Sequence, residues 1–239
     1  MCYYLPISPY GFTYYMEYWL FMLPALVLVL IAQGLVSSRY KKFGKINTIS
    51  RVTGREIAQK ILADNGVFDV SVNAIAGNMT DHYHPGKKTI FLSQGVYDST
   101  SIAAVSIAAH EAGHALQHAK GYAFLRFRSS MVPLCNVATM LSVPLLIIGS
   151  LFNYFGLIVA GIAMFAMSTL FHLITLPVEF NASRRAIAYI RSCNWFYEDE
   201  IIGAKKMLTA AALTYIAALA QSLLQMLFYI LRFAGGRRR

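Results

Sequence analysis

Apolar and polar positions fall into two regimes along the chain. Four stretches, at about 18–36, 131–150, 154–176 and 208–231, are apolar over the roughly 20 residues that cross a hydrocarbon core, and each predicts a membrane-spanning helix. Between the first and second stretches the pattern becomes that of a small α+β fold. In TGREIAQKILADN (53–65), Ile57, Ile61 and Leu62 recur at helical spacing behind a Thr53 cap, and Gly66 supplies the stop. Residues 67–72 and 89–93 alternate as strands with HPGKK as turn material between them, and serine and threonine at 99–101 open a helix that runs to about 119. The organisation expected is an outer N-terminus and first span (1–36), a cytoplasmic insertion (37–130), a transmembrane hairpin (131–176), a cytoplasmic helix (177–207), and a last span with a basic tail (208–239).

Composition strengthens the membrane reading. The chain is 57% hydrophobic and 13% charged, against roughly 25% charged in average soluble proteins, and its mean hydropathy is +0.50. That excludes a disordered tail protein. Cys2, Cys135 and Cys193 lie far apart and form no disulfide framework. The net charge of +10 flanks apolar runs instead of forming a stripe with interleaved aromatics, so it speaks for membrane orientation and not for nucleic acid. Residues 1–17 contain no Lys or Arg, which argues against a cleaved signal peptide, and Arg39, Lys41, Lys42 and Lys45 follow the first span, which predicts an N-terminus outside. Segments 37–130 and 177–207 hold 12 and 5 basic residues and share the inner side, with the uncharged Leu151-Phe152-Asn153 at the hairpin tip. The fourth stretch would carry Arg232 and Arg237 to Arg239 outward, against the rule; spanning is nevertheless the preferred reading.

The predicted helix ending near 119 contains His110-Glu111-Ala112-Gly113-His114. Positions i and i+4 share a helix face, so both imidazoles can reach one metal ion. Glu111 is too far round to ligate but is placed to take a proton from an activated water and pass it to a leaving amine, while Ala112 and Gly113 let another element pack close behind. A catalytic zinc needs a third protein ligand. The candidates are His118, His82, His84, Asp81, Asp98, His172 and Glu179. Glu179 is preferred, because it follows Pro177 at the end of the third span and a two-span hairpin returns the chain to the side that holds His114. Its alternative is an interfacial acid paired with Arg184 or Arg185.

HEAGH followed by a glutamate on a later helix resembles the gluzincin zinc peptidases. The blocks MTDHYHPGKKTIFLSQGVY, SIAAVSIAAHEAGHALQHAKGY and LPVEFNASRRA resemble the bacterial membrane-bound neutral zinc metallopeptidases of the YugP-like family, in the same order over most of the chain. The resemblance implies a zincin-like insertion in an α-helical polytopic membrane protein. It also implies one zinc held by His110, His114 and Glu179, and Glu111 as general base. The gluzincin pattern places an Asp four residues after the third ligand, where this chain has Ser183, so the carboxylate that orients a ligand histidine comes from elsewhere or is replaced by Asn181 or Ser183.

Several further expectations concern the substrate. Thr89, Ile90, Phe91, Leu92 and Ser93 are read as an exposed strand edge that an extended peptide could extend, with an ordinary hairpin as the equal alternative. His82, Tyr83, Arg184 and Arg185 are eligible oxyanion donors, and His84 most simply binds nothing. The function expected is hydrolysis of peptide bonds in proteins or peptides at the cytoplasmic face of a bacterial cell membrane. The alternative is a non-catalytic scaffold in which His82 or His84 closes a four-ligand zinc site. A transporter fits less well, since the spans carry almost no ionisable residue besides His172.

Overall fold

The computed structural model describes residues 9–234. In chain order it holds α1 (Pro9–Phe43), α2 (Gly54–Asp64), β1 (Ser71–Ile75), β2 (His82–His84), β3 (Thr89–Ser93), α3 (Gln94–Tyr97), α4 (Ile102–Ala119), α5 (Ala123–Leu151), α6 (Phe155–Ser192) and α7 (Glu198–Ala234). A 3-10 turn at Pro85–Lys87 joins β2 to β3. Among the described residues α1, α5, α6 and α7 are long and apolar enough to cross a membrane. The protein is thus a mostly helical membrane protein carrying one small mixed sheet.

The chain divides into two compact units, Met1–Ile31 with Pro133–His172 and Ala217–Arg239, and Ala32–Val132 with Leu173–Ile216. In the first unit Trp19, Leu20, Leu30, Met140 and Ile147 point outward. Large apolar side chains take that position stably when the surrounding solvent is hydrocarbon. Within it α5 and α6 approach closely at Gly161, where a Cβ would lie 2.8 Å from Leu146 Cγ and 3.0 Å from the Ser142 carbonyl oxygen.

In the second unit, α2 begins with a reciprocal cap. Thr53 Oγ1 accepts from Glu56 N at 3.2 Å and Glu56 Oε2 accepts from Thr53 N at 2.8 Å. Its buried face, Ile57, Ile61 and Leu62, joins Ile90 and Leu92 of β3 and Val105, Ala108 and Ala112 of α4 in one core. Each large aliphatic side chain buried there contributes about 1.5–3 kcal/mol. Ala186 and Ile190 of α6 and Ile201, Ala204 and Met207 of α7 complete that core, so the insertion is closed by helices that enter later in the sequence.

The long helices outrun their apolar stretches for this reason. α1 continues to Phe43 because Val36 and Phe43 are buried in the core. α7 starts at Glu198 because Ile201 and Met207 are buried there too, and its Glu198-Asp199-Glu200 start complements the positive end of the helix dipole. The span and the helix expected on either side of Pro177 form one continuous helix, α6. Proline at that point removes one backbone donor without ending a helix whose far half is held by tertiary packing.

The sheet order is β1-β3-β2, with β1 parallel and β2 antiparallel to β3. This corrects the expectation for Thr89–Ser93. That strand lies in the middle, paired on both sides, and has no free edge. Its alternation was misleading because Thr89 and Ser93 are as buried as Ile90 and Leu92. The outer strands are β1 and β2, and of the two it is β2 whose residues line the cavity described below. The first strand also lies later than expected, at Ser71–Ile75, since the ladder begins only where Ser71 meets Thr89.

Candidate metal centre and its cavity

The α4 segment Ser101–Ala119 is helical from a Ser101 cap, and its apolar small residues pack on all sides: Ala108, Ala109, Ala112 and Ala115 are fully buried. Small residues permit close approach. A Cβ on Gly113 would lie 2.7 Å from the Ala182 carbonyl oxygen, so α6 crosses behind the motif at a distance only glycine allows. That crossing carries Glu179 to the two imidazoles. His110 Nε2 and His114 Nε2 are 3.1 Å apart, and Glu179 Oε2 lies 3.2 Å from the first and 3.5 Å from the second. Among the described residues this is the cluster of three donors able to hold a metal ion.

The donor set and its spacing suit zinc. Two imidazole nitrogens and a carboxylate oxygen at about 2.0–2.1 Å from a tetrahedral ion would stand about 3.3 Å from one another, close to the observed 3.1–3.5 Å. Glu179 is 3% and His114 8% exposed, so their charges are little screened by water. Burial works against a charge on His114; Glu179, with Glu111 and Gln117 nearby, outweighs it and raises the pKa above the ordinary histidine value. The negative field that favours a proton there favours a metal cation equally.

Each imidazole is held from behind. Ser183 Oγ lies 3.1 Å from His110 Nδ1. Gln117 Oε1 lies 3.0 Å from His114 Nδ1, while its Nε2 donates to the Val178 carbonyl at 2.8 Å and to Asn181 Oδ1 at 3.0 Å. With the amide nitrogen so committed, Gln117 presents its oxygen to His114, whose Nδ1–H donates and whose Nε2 keeps a lone pair toward the cluster. Sequence reasoning passed over Gln117. Its signal was a glutamine three positions after His114, on the helix face that the two histidines share.

A cavity of about 480 Å³ opens onto the cluster, lined by His110, Glu111, His114 and Glu179, by the run Asp81–Gly86, and by Arg128 and Tyr215. Glu111 also lines a second cavity of about 600 Å³ with His110, Asp81 and Tyr215. Asp81 accepts from Ser93 N at 2.7 Å and from Ser93 Oγ, pinning the approach to β2; burial pushes its pKa up. Tyr83 OH meets His118 Nδ1 at 2.7 Å, and burial, then Asp69, raises its pKa to about 12. His82 stacks on Phe91 with Nδ1 2.8 Å from the Thr80 carbonyl, and His84 Nδ1 accepts from Lys87 N at 3.1 Å. His172 Nδ1 turns to the Ser168 carbonyl at 2.8 Å. Arg185 donates to Asn181 Oδ1 at 2.8 Å, whereas Arg184 lines a different cavity. Neither arginine pairs with Glu179. Tyr215 and Arg128, unforeseen in the sequence, line the cavity where Arg184 does not.

Four long apolar helices, with a His-Glu-x-x-His helix faced by a buried glutamate, define a membrane protein with the donor set of a zinc peptidase. The comparison with known proteins gives the family: the model described as "Putative neutral zinc metallopeptidase" matches residues 18–234, and the chain belongs to that family. It is 43% identical over 213 residues to a protein of Bacillus subtilis (strain 168) described as "Putative membrane protease YugP", covering 89% of this chain and 95% of the relative. No solved structure matches it.

Proposed function

We propose that this protein is a zinc-dependent peptidase that hydrolyses peptide bonds of proteins or peptides at the cytoplasmic face of the cell membrane. The observation that carries the reading is the convergence of His110, His114 and Glu179 on the wall of a cavity that Glu111 also lines. Three protein donors, with the cavity on the remaining side, match the open coordination of a catalytic zinc better than the closed four-ligand site of a scaffold. A zinc ion held there would supply Lewis-acid polarisation and a water of lowered pKa. Glu111 then accepts the water proton and returns it to the departing amine. Ser183 and Gln117 keep the imidazole rings in the tautomer that leaves Nε2 free. An extended substrate pairs with the outer edge of β2, where Asp81 to Gly86 line the cavity. The cytoplasmic orientation rests on the basic residues of segments 37–130 and 177–207.

The test is metal content and peptide cleavage on one detergent-purified preparation. Zinc near one per chain, with cleavage abolished by a chelator and restored by zinc, is the expected result; zinc present without cleavage of any peptide in a broad library would move the assignment to the scaffold. The developing oxyanion needs a donor from the protein as well; of the tyrosines on the cavity wall Tyr83 is engaged by His118, whereas Tyr215 interacts with Glu179 and Glu111. Tyr215→Phe is expected to lower kcat by about 10²–10³-fold with KM and zinc content little changed. An unchanged kcat would remove Tyr215 from the reaction.

A further inference from the structure

On the α6–α7 hairpin lies a groove of about 780 Å³ that shares Leu208 with the cavity of about 600 Å³ lined by Glu111. Its composition is graded. Arg191 and Lys205 stand nearest the 193–197 turn, with Arg184 about two helical turns before Arg191 on the same face of α6. Phe180, Leu208 and Ala212 line the part that leads into the apolar lengths of both helices. Among the described residues no acidic one lines the groove, and of the three cations only Arg191 has an ion pair with a carboxylate, Glu198 at 3.6 Å, with both partners well exposed. A soluble anion would find charge there but would leave the apolar part wet. A neutral lipid would fill the apolar part and leave the cations unanswered.

We propose that this groove is a binding site for an anionic phospholipid, its phosphate between Arg184 and Lys205 and the upper part of an acyl chain along Phe180, Leu208 and Ala212. The chemistry is that of basic pockets between membrane helices near the cytoplasmic surface, where each nearby cation adds attraction to an anionic headgroup. The groove also adjoins the candidate metal centre through Ser183, which lines it and meets His110 Nδ1 at 3.1 Å. A lipid bound there therefore packs against the residue that braces a candidate ligand, whether or not the protein is a peptidase.

The test uses the full-length protein in nanodiscs of phosphatidylcholine with and without phosphatidylglycerol, reading the thermal midpoint, and native mass spectrometry to count retained lipid. Phosphatidylglycerol is expected to raise the midpoint and to be retained in preference, whereas inorganic phosphate in phosphatidylcholine discs does neither. In Arg184→Gln/Lys205→Gln the affinity for phosphatidylglycerol should fall on the order of tenfold or more, with the midpoint in pure phosphatidylcholine unchanged. The control Lys41→Gln/Lys42→Gln removes two cations outside the groove and should keep the full response. Equal losses in the two double variants would reduce the effect to general surface charge and overturn the proposal. A midpoint rise reproduced by phosphate alone would make this a phosphate site, and equal retention of phosphatidylcholine would make it a neutral lipid contact; either result also overturns it.

Discussion

Glu111→Ala is expected to purify with one zinc per chain and to turn over peptide about 10²–10⁴-fold more slowly than wild type. The residue is placed for that separation of effects. It follows His110 on α4, so its side chain leaves the helix about 100° round from the imidazole and stays out of the donor cluster. It is 8% exposed and lines both cavities that reach His110, so a water beside the cluster is within its range. Glu111→Gln preserves shape and removes the proton acceptor, and should match the alanine variant in rate. Wild-type cleavage by either protein, with zinc verified in the same sample, would sink the assignment of Glu111 as the base.

Glu179→Ala should lose stoichiometric zinc together with activity. The two readings of this residue diverge here. An interfacial acid would be paired with a neighbouring arginine, and its removal would leave the metal in place. Instead Arg185 is committed to Asn181, Arg184 lines the groove on the α6–α7 hairpin, and the Glu179 carboxylate lies against both imidazoles. Removing it leaves two nitrogen donors where a catalytic zinc needs three protein ligands. Elemental analysis on protein purified in a fixed excess of zinc decides the matter: retention near one per chain would refute the assignment. His110→Ala is expected to behave alike, whereas Glu111→Ala is not, so the three variants together separate metal binding from proton transfer.

The parts of this molecule legible in its sequence are those set by local rules. Four apolar runs, the Thr53 cap and the His110–His114 helix each announce themselves within one continuous stretch of chain. The nearness of Glu179 to the motif followed from counting membrane crossings, a topological argument that needs no coordinates. Strand neighbours could not be read this way. Alternation tells which residues face apart but not which strand lies outside, and TIFLS carries its hydroxyls into buried positions where Thr89 Oγ1 finds Ser71 Oγ at 3.0 Å. A three-residue strand such as β2 gives too few positions for any period to show. Gln117 and Tyr215 acquire their places only when α6 and α7 close on α4, so their chemistry belongs to packing and left little mark on local sequence.

The donors of the metal centre stand 69 positions apart, on helices separated by the whole of α5 and the first part of α6. During synthesis the His110–His114 pair therefore leaves the ribosome well before Glu179 exists, and the membrane hairpin must be made before the third donor can arrive. A chain that stalls or inserts wrongly in that interval carries a motif but no centre. On the proposed function, hydrolytic capacity then comes only with completed insertion of the α5–α6 hairpin, after α1 has already anchored the chain.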